Sequence, residues 1–95
     1  MLIKTVTIQK ERSYPTNDYG EVVKLTYRGG CVHLSREEFD NLLKNLGKTT
    51  LVGMKATIEN HCQDCRAREH FQCIQSITVD GQTAPTLYCC YVADM

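Results

Sequence analysis

Leu34-Ser35-Arg36-Glu37-Glu38-Phe39-Asp40-Asn41-Leu42-Leu43-Lys44-Asn45-Leu46-Gly47 is the stretch whose reading decides the fold class. Ser35 and Glu38 make a capping box, in which each side chain satisfies a free backbone amide of the other residue. Leu34 and Phe39 stand at staple positions on either side of the cap. Phe39, Leu42, Leu43 and Leu46 fall at i, i+3, i+4 and i+7 and form one apolar stripe. Gly47 supplies the left-handed residue that ends a helix, and Lys44 and Lys48 suit the negative end of its dipole. Every one of these features is structural, so the helix is expected to pack and to carry no site.

On both sides of this helix the apolar period drops to two, the mark of strands. Residues 21–34 read as a hairpin turning at Gly29-Gly30, with Tyr27 facing Val32 and Leu25 facing Leu34. Val23, Leu25, Tyr27, Val32 and Leu34 then share the core side, and Cys31 and His33 fall on the other side beside Thr26 and Lys24. A Cys-x-His pair suits a metal or a catalytic dyad, but two half-covered strand residues account for it as well, and that reading is preferred. Residues 2–10 alternate Leu2, Val6 and Ile8 against Ile3, Thr5, Thr7 and Gln9, another strand, with Lys4 interrupting the apolar side near the chain end. Residues 11–20 are a loop by composition. Its Tyr14 and Tyr19 are candidate partner-binding anchors.

Beyond the helix, residues 51–59 set Val52, Met54, Ala56 and Ile58 against Leu51, Gly53, Lys55, Thr57 and Glu59. Residues 74–79 form a strand with Ile77 and Val79 on one side. Asp80-Gly81 opens a turn extended by Gln82 to Pro85, and residues 86–92 form a last strand. Cys89 and Cys90 point in opposite directions there, which reads as packing, with either a minor candidate for a free thiol. The expectation is one α+β domain over residues 1–95. It has about six strands, arranged as a small antiparallel sheet or an OB-like barrel, with one amphipathic helix.

Between the strands at 51–59 and 74–79 lies Cys62-Gln63-Asp64-Cys65-Arg66-Ala67-Arg68-Glu69-His70-Phe71-Gln72-Cys73. It holds half of the chain's six cysteines. A Cys-x2-Cys turn sets two thiolates on one side of a tetrahedral ion. His70 and Cys73, three apart on one face of a helical turn, can supply the other two ligands. Cys62, Cys65, His70 and Cys73 are therefore expected to hold a structural Zn2+ in a loop spanning residues 60–74, with His61 a rival to His70. Residues 1–20 show no secretory signal, and a reducing compartment disfavours disulfides. A redox Cys-x2-Cys is expected at a helix start within a βαβ unit, which this order of elements lacks. The first three ligands resemble the retroviral-type zinc knuckle, Cys-x2-Cys-x4-His. The chain departs from it after His70, where two residues instead of four precede Cys73. The resemblance covers twelve residues and implies binding of single-stranded nucleic acid.

Ninety-five residues with eleven acidic and eleven basic side chains make a neutral chain whose charges are interspersed. Such a chain lacks the electrostatic footprint of a strong non-specific nucleic-acid binder. No apolar run approaches the roughly 20 residues of a membrane span. Neither a Gly-rich phosphate loop nor a Ser-His-Asp signature is present, and a four-ligand zinc has no open position for water. The functional expectation is a non-enzymatic, cytoplasmic, zinc-stabilised binding protein acting on a protein partner. In size and style it resembles the inhibitors that phages and mobile elements encode against host systems. The alternative is a single-stranded nucleic-acid module using Arg66, Arg68 and Phe71 of the zinc loop, where two cations and a stacking ring sit together.

Overall fold

The sheet is assembled around one long strand, β1 (Leu2–Thr16). In the computed structural model, which describes residues 2–17, 19–60 and 75–87, β1 serves two partners in succession. Its first half, Leu2 to Thr7, pairs antiparallel with β4 (Lys55–Asn60), and its second half, from Ile8 to Thr16, pairs antiparallel with β2 (Gly20–Tyr27). The register shifts between Ile8 and Lys10, so Gln9 is the extra residue of a β-bulge. A bulge resets the alternation of side chains. Before it, Val6 and Ile8 point to the core beside Ala56 and Tyr27; after it, the even positions Lys10 and Arg12 point outward, opposite Thr26 and Lys24.

The loop expected at residues 11–20 is thus a strand as far as Thr16. Its polar composition is tolerated because β4 pairs only up to Thr7, which leaves the second half of β1 with one neighbour. Pro15 lies in this half of β1, which has a free edge where a proline is tolerated. The true turn is short: the Thr16 hydroxyl donates to the Gly20 carbonyl (2.9 Å) and accepts from the Tyr19 amide (3.1 Å).

β2 runs into β3 (Gly30–Ser35) as a hairpin, with the core side made of the expected residues. Its turn is Arg28-Gly29 instead of Gly29-Gly30, so Leu25 faces Val32 and Val23 faces Leu34. Gly29 takes the positive φ the turn needs. Gly30 is instead the first strand residue, kept small by the Tyr27 ring, whose hydroxyl would lie 3.1 Å from an added Cβ. A two-residue change of register leaves every side chain on its face, which is why the pattern was legible and the turn was not. The other face of Tyr27 meets Lys4, whose Nζ lies 4.9 Å from the ring centroid. That contact is the reason a lysine is tolerated on the apolar side of β1.

α1 (Arg36–Leu46) follows as expected: the Ser35 hydroxyl accepts from the Glu38 amide, Gly47 ends the helix in the left-handed conformation, and the Lys48 amide returns to the Leu43 carbonyl. Phe39 and Leu42 are buried, with Leu43 and Leu46 packed partly against the core. The next strand starts later than expected. Residues 51–54 form a turn closed by the Met54 amide on the Leu51 carbonyl (3.0 Å), and Ile8 bonds to it through Met54 and Gly53. Leu51, not Val52, is the buried residue, because the turn reverses the alternation there. Ala56 and Ile58 keep their expected core positions.

β5 (Gln75–Val79) pairs antiparallel with β4, as the reading of neighbouring strands requires. Gln82 to Pro85, expected as part of a turn, is the strand β6 (Gln82–Pro85). The turn is only Asp80-Gly81, both at positive φ, the geometry that two-residue hairpins favour. Residues 86 and 87 follow β6 without joining a strand, and the rest of the expected strand at 86–92 lies outside the described residues.

The result is an α+β fold: an open six-stranded antiparallel sheet of order β3-β2-β1-β4-β5-β6 with one helix packed on it. Ile8, Leu25, Leu34, Phe39, Leu51, Ile58 and Ile77 are among its fully buried side chains. The two edges approach each other: the Leu87 amide donates to the His33 carbonyl at 2.8 Å. No helix among the described residues is long and apolar enough to cross a membrane.

Candidate binding face

The proposed zinc ligands Cys62, Cys65, His70 and Cys73, the rival His61, and Arg66, Arg68 and Phe71 all lie outside the described residues, as do Cys89 and Cys90. What is described is the pair of strand ends on either side of residues 61–74. Asn60 and Gln75 are register partners, both buried. The Thr86 hydroxyl donates to the Gln75 carbonyl (3.1 Å) and to its side-chain Oε1 (3.0 Å), and the Thr86 amide donates to the same carbonyl (2.9 Å). Residues 61–74 therefore leave and re-enter the sheet at adjacent strand ends on a hydrogen-bonded base. Among the described residues no three His, Cys, Asp or Glu side chains gather around a common point.

The described chemistry concentrates on the outer side of β1, β2 and β3. Arg12 lies directly opposite Lys24, Lys24 directly opposite His33, and Lys10 opposite Thr26. Carboxylates are drawn elsewhere. Glu11 points to the core side with Leu25, where it accepts from the Thr50 hydroxyl (2.9 Å) and the Leu51 amide (3.2 Å). Glu21 takes the Ser13 hydroxyl, and Asp40 pairs with Arg36 on the helix at 3.1 Å. The Arg36–Asp40 contact is the one salt bridge seen among the described residues. Interspersed charge in sequence thus becomes separated charge in space: in Lys10-Glu11-Arg12, strand alternation sends the carboxylate one way and the two cations the other.

Tyr14 belongs to this outer face and not to a loop. Its ring stands edge-on to His33, centroids 6.2 Å apart and planes at 86°. Val22, the register partner of Tyr14, is fully buried yet outside the main core cluster. His33 is only 7 % exposed, and its pKa is held below the usual histidine value of 6.5, first by burial and then by the Lys24 charge. Cys31 is half-buried opposite Thr26. Tyr19 is 48 % exposed at the β1–β2 turn, near the end of the same face.

The structure therefore brings Tyr14 and His33 together and places Tyr19 beyond them. The residues that sequence reading missed are Lys10, Arg12 and Lys24. Their alternation with Glu11 and Val23 was visible, but reading them as one face required a strand past residue 10 and a bulge before it. A row of cations flanked by aromatic edges can hold a polyanion. The chain matches no protein-family model, no curated protein and no solved structure.

Proposed function

We propose that this chain is a small non-enzymatic binding protein stabilised by zinc, and that the ligand of its outer face is a single-stranded nucleic acid. The observation that carries the reading is the sorting of charge on the β1–β2–β3 face. Lys10, Arg12 and Lys24 stand together there with Tyr14 and His33 beside them, while Glu11 and Glu21 are engaged elsewhere. Placing like charges directly opposite one another costs stability, a cost that a phosphate backbone offsets when it binds.

The strand order supports an OB-like arrangement. A β1 shared between β2 and β4, a helix between β3 and β4, and a bond back to β3 from Leu87, two residues after β6, fit an OB-like arrangement that comes round through β6. In such barrels the face of strands 2 and 3, with the loops joining strands 1–2 and 4–5, takes oligonucleotides. The equivalents here are the face bearing Lys24 and His33, the turn bearing Tyr19, and the Cys-rich segment 61–74 with Arg66, Arg68 and Phe71. In that segment Cys62, Cys65, His70 and Cys73 would hold zinc, whose role when bound is to cross-link a polar loop. Four protein ligands leave the ion no open position for catalysis.

The test is fluorescence anisotropy with a labelled oligothymidylate across a sodium chloride series. Log K is expected to fall linearly with log salt, by about 0.7 per phosphate neutralised. The double variants Lys10→Ala/Arg12→Ala and Arg66→Ala/Arg68→Ala should each flatten that slope. Failure of the parent protein to bind at low salt ends the reading.

A protein partner, such as the target of a phage-type inhibitor, is the second reading. It is favoured by Tyr19, 48 % exposed, and Ile3, 54 % exposed, which are large side chains facing solvent. A host protein that stays bound in high salt, and is lost on Tyr19→Ala, would select it over the first.

A further inference from the structure

Beside the Gln9 bulge the outer face is concave: an open cavity of about 370 Å³ is lined by Thr5, Val6, Thr7, Gln9 and Arg28. We propose that this cavity is an oxyanion site in which Arg28 takes a phosphoryl group, assisted by the hydroxyls of Thr5 and Thr7 and the amide of Gln9. Four of the five lining side chains carry hydrogen-bond donors, one is a guanidinium, and no carboxylate is among them. The guanidinium's planar fork suits two oxygens of one phosphoryl group.

The register explains how these groups meet. Tyr27 is paired with Ile8 at the end of the β1–β2 ladder, and Arg28, the first residue of the turn that follows, lines the cavity together with Thr7. Across the other side of β1, Thr7 is paired with Lys55, which is exposed. Thr7 thus sits between two cations on the outward side of the sheet. Gln9, the extra residue of the bulge, belongs to neither ladder and is spared for a ligand. The volume exceeds a phosphoryl group's needs by several waters, each about 30 Å³ in the liquid.

Two sources supply this chemistry, a phosphodiester backbone and a free phosphorylated small molecule. The link to the backbone rests on the single-strand reading above; the site itself does not. The experiment follows backbone amides by NMR while inorganic phosphate, and separately an oligothymidylate, is titrated into the full chain at matched ionic strength in sodium chloride. Saturating shifts at Thr5, Thr7, Gln9 and Arg28 with inorganic phosphate are expected. Arg28→Gln should weaken them by about tenfold, as loss of a charged hydrogen-bonding partner does, while Lys44→Gln, at an exposed position on α1, leaves them in place. Shifts that sodium chloride reproduces, or that survive Arg28→Gln unchanged, overturn the site. If the oligonucleotide also moves these amides, the backbone is the source; if phosphate alone moves them, the site stands as one for a small phosphorylated ligand and the single-strand reading loses this anchor. Oligonucleotide shifts confined to Lys10, Arg12 and Lys24, with no phosphate response here, overturn the site and leave that reading intact.

Discussion

Replacing Lys24 by Glu should make this protein more stable and a worse binder. In the register, Arg12 and Lys24 are directly opposite on antiparallel strands, and His33 lies opposite Lys24 on its other side. Like charges so placed repel, and an opposite-charge pair in the same geometry contributes roughly 0.2–1 kcal/mol. Reversing one sign removes the first effect and adds the second. Arg12 is exposed, which screens both, so the net gain should be about 0.5–1 kcal/mol. For a domain of this size that raises Tm by roughly 2–8 °C. Lys24→Gln removes only the repulsion and should give about half. Because screening shortens from ~10 Å at 0.1 M salt to ~3 Å at 1 M, the gain should shrink in concentrated sodium chloride. Thermal unfolding followed by circular dichroism at both salt concentrations measures all of this. Oligonucleotide affinity should move oppositely, with a flatter salt dependence than the parent. A Lys24→Glu protein that is less stable than the parent, with no response to salt, would refute the cross-strand pairing as the source of the effect. A stabilised variant with parental oligonucleotide binding would refute the face as the binding surface.

Other outcomes follow from the same contacts. His33 has its pKa lowered in the folded state, by burial and then by Lys24, so below 6.5 the unfolded chain holds the proton more readily than the folded one. Its contribution should be flat above that pH and turn unfavourable as pH falls through about 6.5; by urea unfolding the parent should lose more stability between pH 7.5 and 5.5 than His33→Gln does. Ile77→Ala, at a fully buried position between Ile58 and Ala84, should cost about 2–5 kcal/mol by denaturant titration and leave the salt slope of binding unchanged. The parent should carry one zinc per chain by native mass spectrometry, and Cys65→Ser should carry none and unfold earlier; a variant that keeps its metal and its Tm would remove Cys65 from the ligand set.

Local rules decide whatever depends on a few adjacent residues. The Ser35 cap, the stripe from Phe39 to Leu46 and the Gly47 stop are satisfied within one helix, so α1 was legible in the sequence to its ends. The core side of the β2–β3 hairpin was legible too, because period two survives a register change of two. Asp80-Gly81 announced a hairpin, and reading it as a two-residue turn would have found β6. What stayed hidden turned on contacts between distant segments. That Leu51 is buried instead of Val52 depends on a turn held against Ile8. That residues 11–16 form a strand depends on β2 being there to accept their hydrogen bonds.

For the candidate site the division is the same. The spacing of Cys62, Cys65, His70 and Cys73 is a sequence property, since four candidate ligands fall within twelve residues; so is the helix that fixes the α+β class. The proposed binding face is not. One bulge at Gln9 turns Lys10 and Arg12 outward, and pairing with β2 then sets Lys24 and, beyond it, His33 at their side. A neutral, evenly mixed chain acquires a basic surface only when its strands are registered, because strand alternation sends neighbouring charges to opposite faces and tertiary pairing decides which faces are joined.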